Sequence, residues 1–322
     1  QPGSSFKPFV YTAAMEMGRT PYSVRNDAPI KIGNWTPTNY EGTYEGRVTL
    51  KKALTDSINT IAAQLAMEVG PKTVVETAHR LGITSDIQPN ASIALGTSEV
   101  TLLELTSAYA PFMNGGFKAQ PYLISKVTTA GGKVLYQRPQ AMPQRVLQPK
   151  IIAEMDSMLE NVVKHGTGHN ARLDGWQMGG KTGTTQNWHD ALFIGFTANL
   201  VTGVWFGNDN GSPMKRVTGG TVPARAWHEF MAAAHKGLTP SPLPYSDLQQ
   251  QLTAPGNLPP AEIPPSGNGD GLPVADAGPA YGGQPVPAAG GYTAGGAPLP
   301  PADVGGHRQP HHSTLLDVLL GR

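Results

Sequence analysis

The chain has 322 residues, and its 24 Lys and Arg nearly balance its 23 Asp and Glu, with no basic, aromatic-interleaved stripe of the kind that grips nucleic acid. Cysteine is absent, which excludes disulfides, thiolate catalysis and cysteine-ligated zinc. The longest apolar stretch, near 190–207, is interrupted by Thr197, Asn199, Thr202 and several glycines and is too polar to span a membrane, while Gln1-Pro2-Gly3 does not read as a secretory leader.

From Ser4 to Met17 the spacing of Val10, Ala13, Ala14 and Met17 predicts a helix, with Pro8 in its first turn and Gly18 after its end. Residues 21–46, rich in Asn, Thr, Tyr and Gly, read as a long surface loop. Helical spacing returns over 49–56 and again from Ile61 to Ala66; Ser57-Ile58-Asn59 marks a break between the two. Pro71 opens a further helix closed by Gly82, and Thr101 to Glu104 forms a capping box for a helix running to Gly115. Tyr122–Thr128 and Lys133–Gln137 flank Ala130-Gly131-Gly132 as a hairpin. A helix over 151–163 ends at Gly166, antiparallel strands follow at 177–185, 191–197 and 201–206, and a last helix runs from Pro223 to His235. Beyond residue 239, Pro, Gly and Ala dominate, so 1–239 is expected to fold and 240–322 to form a disordered tail. Leu315–Leu320 reads as a frayed helical turn, and His307, His311 and His312, like His165 and His169, lack a carboxylate partner nearby in sequence. No metal site and no cofactor is expected.

Three short motifs carry chemistry. Ser4 and Lys7, three residues apart, share one side of a helical turn. A serine hydroxyl needs a base, and lysine serves only where burial or a second cation disfavours its ammonium form. Ser57 continues the apolar stripe of Leu50 and Leu54, so its hydroxyl points inward, and Asn59 lies on the same side of an extended turn; a plain helix cap is the other reading of this pair. On the strand from 177, Thr182 and Thr184 share a face, Gly183 permits close backbone approach, and Lys181 adds positive charge. An aggregation-blocking edge strand would use the same residues. Gly175 to Thr182 also matches the phosphate-loop pattern G-x-x-x-x-G-K-[ST], but no buried strand precedes it and no helix follows, so nucleotide binding is set aside.

Taken in order, S-x-x-K, S-x-N and K-T-G form the set shared by penicillin-binding proteins and class A β-lactamases. With Gln1-Pro-Gly-Ser-Ser-Phe-Lys-Pro8, Ala94-Leu-Gly-Thr-Ser-Glu-Val-Thr101, Gly166-Thr-Gly168 and Lys181-Thr-Gly-Thr184, the chain to about residue 238 resembles the transpeptidase domain of bifunctional, class A penicillin-binding proteins. The resemblance implies an α/β fold of the α+β type, like that of serine β-lactamases: an antiparallel sheet flanked by helices, with an all-helical subdomain. It implies a D,D-transpeptidase that cross-links peptidoglycan stem peptides and is trapped by β-lactams. A D,D-carboxypeptidase and a non-turnover β-lactam sensor share the same donor site.

The family's roles carry over residue by residue. Ser4 would be the nucleophile and Lys7 its base, with Ser57 and Lys181 relaying protons. Asn59, Thr182, Gly183 and Thr184 would bind donor peptide, and the N–H groups of Ser4 and Thr184 would form the oxyanion hole. Two departures stand out. The middle motif is Ser57-Ile58-Asn59 rather than S-D-N, and no Glu-x-x-x-Asn is found to place a deacylating water, which disfavours fast hydrolysis of penicillin. The family also places strands, a glycosyltransferase domain and a membrane anchor before the nucleophile. The resemblance therefore implies a fragment whose strand at 201–206 has an open edge, and which acylates poorly and aggregates when alone. The implied location is the cell envelope, at the outer face of the cytoplasmic membrane.

Overall fold

The computed structural model describes residues 1–140 and 142–253. A 3-10 turn at Gly3–Phe6 leads into helix α1 (Lys7–Glu16). Phe9, Val10, Tyr11, Ala13, Ala14 and Met15 are all buried there, so α1 is a central helix wrapped on every side rather than the one-faced helix that a stripe implies. Helices α2 (Leu50–Thr55), α3 (Asn59–Val69), α4 (Pro71–Leu81) and α5 (Leu102–Met113) follow. Of these, α3 and α4 pack on α1. Thr101 closes the expected capping box with Glu104, and Pro71 stands at the start of α4.

The chain reads as a loop over 21–46, but this stretch contains a strand. Val24–Asp27 (β1) pairs antiparallel with Gly46–Thr49 (β2). Too short to show periodicity, β1 is held by side chains instead. Asp27 is buried and accepts from Asn39 Nδ2 at 2.8 Å, Thr60 Oγ1 at 2.5 Å and the Glu45 N–H at 2.8 Å. The hairpin β3 (Lys126–Thr128) and β4 (Val134–Gln137) stands where the Gly-rich turn predicts it.

Helix α6 (Pro149–His165) and the sheet complete the core. Strands β5 (Gly179–Thr184), β6 (Asp190–Phe196) and β7 (Val201–Gly207) pair antiparallel in that order. After Asp190 the middle strand is apolar without a break, because both of its faces are covered. Leu192, Ile194 and Phe196 join the main core, whereas Phe193 stacks edge-on against Trp227 of α7 (Val222–Ala234), their ring centroids 5.3 Å apart. Among the described residues β7 pairs only with β6, so its other edge is open, as the sequence led us to expect.

The boundary at 239 needs correction. Leu243 is buried in the main core, its N–H donates to Gln177 Oε1 at 2.7 Å, and helix α8 (Ser246–Thr253) lies against α6. Gln249 Nε2 donates to Glu160 Oε1 at 3.0 Å, fixing α8 in place. Proline-rich composition masks such an anchor, because a single leucine in the right place brings its own burial energy. Residues 240–253 therefore belong to the folded body. The expectations for residues 254–322, His307, His311, His312 and Leu315–Leu320 included, lie outside the described residues. Leu243→Ala is expected to cost about 2–5 kcal/mol of unfolding free energy in a denaturant titration; a change within about 0.5 kcal/mol would mean that the segment is a loose tail.

Candidate active site

The helix break at Ser57 comes first, because its local geometry aims the site. Asp56 ends α2, Ser57 adopts φ +59°, and Ile58 turns extended. The Ile58 N–H donates to Ala53 O at 2.9 Å and the Ser57 N–H to Leu54 O at 3.2 Å, which is a Schellman closure with serine in the left-handed position that glycine usually takes. Reading Ser57 and Asn59 as helix caps fails here. The residue before α3 is Ile58, and the orphan N–H groups of Asn59 and Thr60 are taken by Asn39 Oδ1, at 3.0 and 3.2 Å, from the preceding loop. With its helix end satisfied by another residue, the Asn59 side chain is free to turn inward. Its Nδ2 donates to Thr38 O at 2.8 Å, and its Oδ1 accepts from Lys7 Nζ at 2.7 Å.

Lys7 sits in the first turn of α1, wholly buried. Its Nζ also reaches Ser57 O at 2.6 Å and lies 3.2 Å from Ser57 Oγ. From the far side of the same hydroxyl comes Lys181 on β5, likewise wholly buried, with Nζ 3.0 Å from Ser57 Oγ and 3.2 Å from both Thr182 O and Thr182 Oγ1. That burial excludes the reading of Lys181 as a solvated charge guarding a sheet edge, although β5 is an edge strand. Desolvation pushes the Lys7 ammonium well below the usual lysine range, and the charge of Lys181 pushes it further. Burial lowers Lys181 to about 7, against a partial restoring pull from Asp56. As a neutral amine, Lys7 would spend its two N–H bonds on its closest acceptors, Ser57 O and Asn59 Oδ1, leaving a lone pair to take a proton.

Ser4 lies in the 3-10 turn before Lys7, and its carbonyl accepts the Lys7 N–H. In such a turn, residues three apart eclipse each other, so the hydroxyl and the amine share a side. The turn is pressed onto β5 at backbone distance. A Cβ at Gly183 would fall 2.3 Å from Pro2 O, and one at Gly3, where φ is +55°, would fall 2.8 Å from Thr184 O. Only glycine fits at either position. Tyr109, buried on α5, donates to Ser5 O at 2.5 Å and pins the turn from behind.

Lys7 and Lys181 thus meet on the Ser57 hydroxyl, Asn59 is bonded to Lys7, and Ser4 stands one turn before Lys7, with Thr182, Gly183 and Thr184 continuing along the strand of Lys181. Thr182 Oγ1 shares a hydrogen bond with Thr167 Oγ1 at 2.8 Å, and Thr184 Oγ1 accepts the Gly219 N–H at 3.0 Å. Thr167, Gly219 and Asn39 were given no role from sequence. Thr167 stands in a G-T-G stretch noted only for its resemblance, and the other two act through contacts more than 15 residues away, which no local pattern announces. Gly175–Thr182 runs into strand β5 rather than into a helix, so the phosphate-loop match has no helix N-terminus to hold an anion.

Two buried lysines share one bridging hydroxyl, with a serine three residues before the first of them, and the chain belongs to the penicillin-binding protein transpeptidase domain family, a family of serine acyl-transferases, whose model matches residues 1–232. Among characterised proteins it is similar to penicillin-binding protein 1A of Neisseria meningitidis, with 38% identity over 252 residues, covering 74% of this chain and 32% of the relative. It therefore spans about a third of the length of the curated relatives it matches. Among solved structures it is similar to penicillin-binding protein 1A of Haemophilus influenzae, with TM-score 0.68 and 30% identity, over 76% of this chain and 43% of the other. It is similar also to PonA1 of Mycobacterium tuberculosis in complex with penicillin V, with TM-score 0.71 and 27% identity, over 76% and 71%. The expected fold class, helices around an antiparallel sheet, is the one found.

Lysine-selective NMR titration reads the electrostatics directly. Lys181 is expected to titrate near 7 and Lys7 well below the ordinary lysine range; in Lys181→Met, the Lys7 transition moves to higher pH because a neighbouring positive charge is gone. Lys181 holds its extra proton in the unfolded chain up to the ordinary lysine value, so its contribution to stability rises with pH from about 7 up to that value. An unshifted Lys7 in the variant would refute the coupling.

Proposed function

We propose that this domain is a D,D-transpeptidase acting on peptidoglycan stem peptides in the cell envelope, at the outer face of the cytoplasmic membrane, with Ser4 as nucleophile. The observation that carries the reading is the placement of two buried amines on one hydroxyl, the first of them on Lys7, three residues after the partly exposed Ser4. Lys7 takes the Ser4 proton as Oγ attacks the carbonyl between the two terminal D-alanines. The N–H groups of Ser4 and Thr184 hold the oxyanion. When the intermediate collapses, the C–N bond breaks, and the departing D-alanine amine receives its proton through Ser57 Oγ from the lysine pair. An acceptor amine then attacks the acyl-Ser4 ester and gives up a proton to the lysine pair; as the new C–N bond forms, the C–O bond to Ser4 breaks, Lys7 returns a proton to Ser4 Oγ, and the cross-linked product leaves. Asn59 binds the donor backbone, and Thr182 and Thr184 hydrogen-bond its terminal carboxylate, with Gly183 leaving room for close approach. A β-lactam presents the same amide and carboxylate and remains on Ser4, in keeping with the penicillin V complex of PonA1.

Two relatives of this reaction use the same donor site: hydrolysis of the acyl-enzyme by water, and acylation without turnover. Incubation of a complete domain, upstream strands included, with a stem-peptide donor and an amine acceptor, followed by mass spectrometry, separates the three. Cross-linked product is expected. Shortened donor alone would indicate a carboxypeptidase, and a stable adduct with no product would indicate a sensor. Ser4→Ala should abolish labelling by a fluorescent penicillin, and Lys7→Ala should slow it about 10²–10⁴-fold. Labelling that persists in Ser4→Ala would overturn the assignment.

A further inference from the structure

The β3–β4 hairpin takes no part in the site, and its composition differs from that of the rest of the chain. Between Leu105 and Ala153 stand Lys118, Lys126, Lys133, Arg138, Arg145 and Lys150 and not one Asp or Glu, so the remainder of the nearly neutral chain is left acidic. Large apolar side chains are exposed along the same arm. Leu123 is fully exposed, Leu135 is 57% exposed and Tyr136 45%, and every residue of β4 faces solvent. Arg138 stacks over the Tyr122 ring at 3.7 Å, holding two side chains of the kind that dominate protein interfaces in a fixed pose.

Among the described residues the two strands pair only with each other, so both outer edges carry unpaired N–H and C=O groups. An isolated two-stranded hairpin is marginal in water, and a third strand is the usual remedy. We infer that this hairpin is a docking arm for an acidic, extended segment of a partner protein, which adds as a third strand along the outer edge of β4 and flanks the exposed Leu135 and Tyr136. Charge decides the occupant. A second copy of the arm would set like charges against each other across the new ladder, and a lipid bilayer offers nothing to the open strand edges. Lysines on an edge ordinarily deter pairing; here they deter basic and neutral strands and leave acidic ones favoured, while the apolar faces remain to be covered.

The probe is a short fluorescein-labelled peptide alternating valine with glutamate, followed by anisotropy. Saturable binding in the micromolar to low millimolar range is expected, weakening with salt. Binding should fall at least about tenfold in the Lys126→Glu, Lys133→Glu, Arg138→Glu variant. That variant should instead bind the peptide in which lysine replaces glutamate. A peptide of the same charge with proline at alternate positions cannot extend a sheet and should not bind. The Ser4→Ala protein should bind the acidic peptide unchanged, which separates this inference from the catalytic reading. Equal binding of the proline peptide, absence of saturable binding, capture by anionic phospholipid vesicles through the same residues in place of the peptide, or a self-association lost in the variant would each overturn it. Should the triple variant fail to fold, the peptide series on the unaltered protein decides alone.

Discussion

Two fully buried amines share one hydroxyl, and neither is hydrogen-bonded to a carboxylate. Lys7 and Lys181 are both fully buried, and the groups they touch are hydroxyls, carbonyls and one amide. The nearest compensating charge, Asp56, is already paired with Lys52 at 2.7 Å. Full ionisation of both lysines would cost a desolvation penalty twice over and add their mutual repulsion. The cluster therefore holds fewer protons than its amines would carry in water, and a site short of a proton is one that can accept it from a serine. The helix break, the borrowed cap and the glycine contacts all keep that arrangement in register.

The cluster forms where two halves of the fold meet. Residues 4–7 enter the central helix, 57–59 join two helices of the helical half, and 181–184 lie on the outer strand of the sheet. Side chains from three such distant stretches meet only because the backbone of the first turn touches that of β5 with no side chain between them. Interlocking at this distance leaves little slack, so the separation of Ser4 from the strand is set by main-chain contact rather than by adjustable rotamers.

What could be read from sequence was mostly local. Capping residues, prolines at helix starts and the Gly-rich hairpin placed the elements, and S-x-x-K, S-x-N and K-T-G marked the side chains that converge. Burial could not be read in the same way. Lys181 on an edge strand looks like a solvent-facing charge until the rest of the fold covers it, and the lowered range of both lysines follows first from that cover, with the charge of Lys181 adding to it at Lys7. Asn39 and Asp27 were invisible for a different reason. Asn39 caps the backbone of a helix it does not belong to, and Asp27 gathers side chains from the loop and from α3 together with the Glu45 N–H; such contacts have no period. Leu243 was hidden by its neighbours' composition, since a window dominated by proline reports on the window and not on one anchoring residue.

Ser57 also holds a tension between folding and chemistry within a single residue. Its backbone occupies a conformation that costs an L-residue with a side chain about 1–2 kcal/mol and glycine almost nothing. The substitution that would most comfortably relax the turn is thus the one that deletes the hydroxyl between the amines. A directed-evolution campaign that screened this domain for heat resistance alone would be drawn toward glycine there, and would recover a sturdier protein whose two buried amines no longer share a hydroxyl.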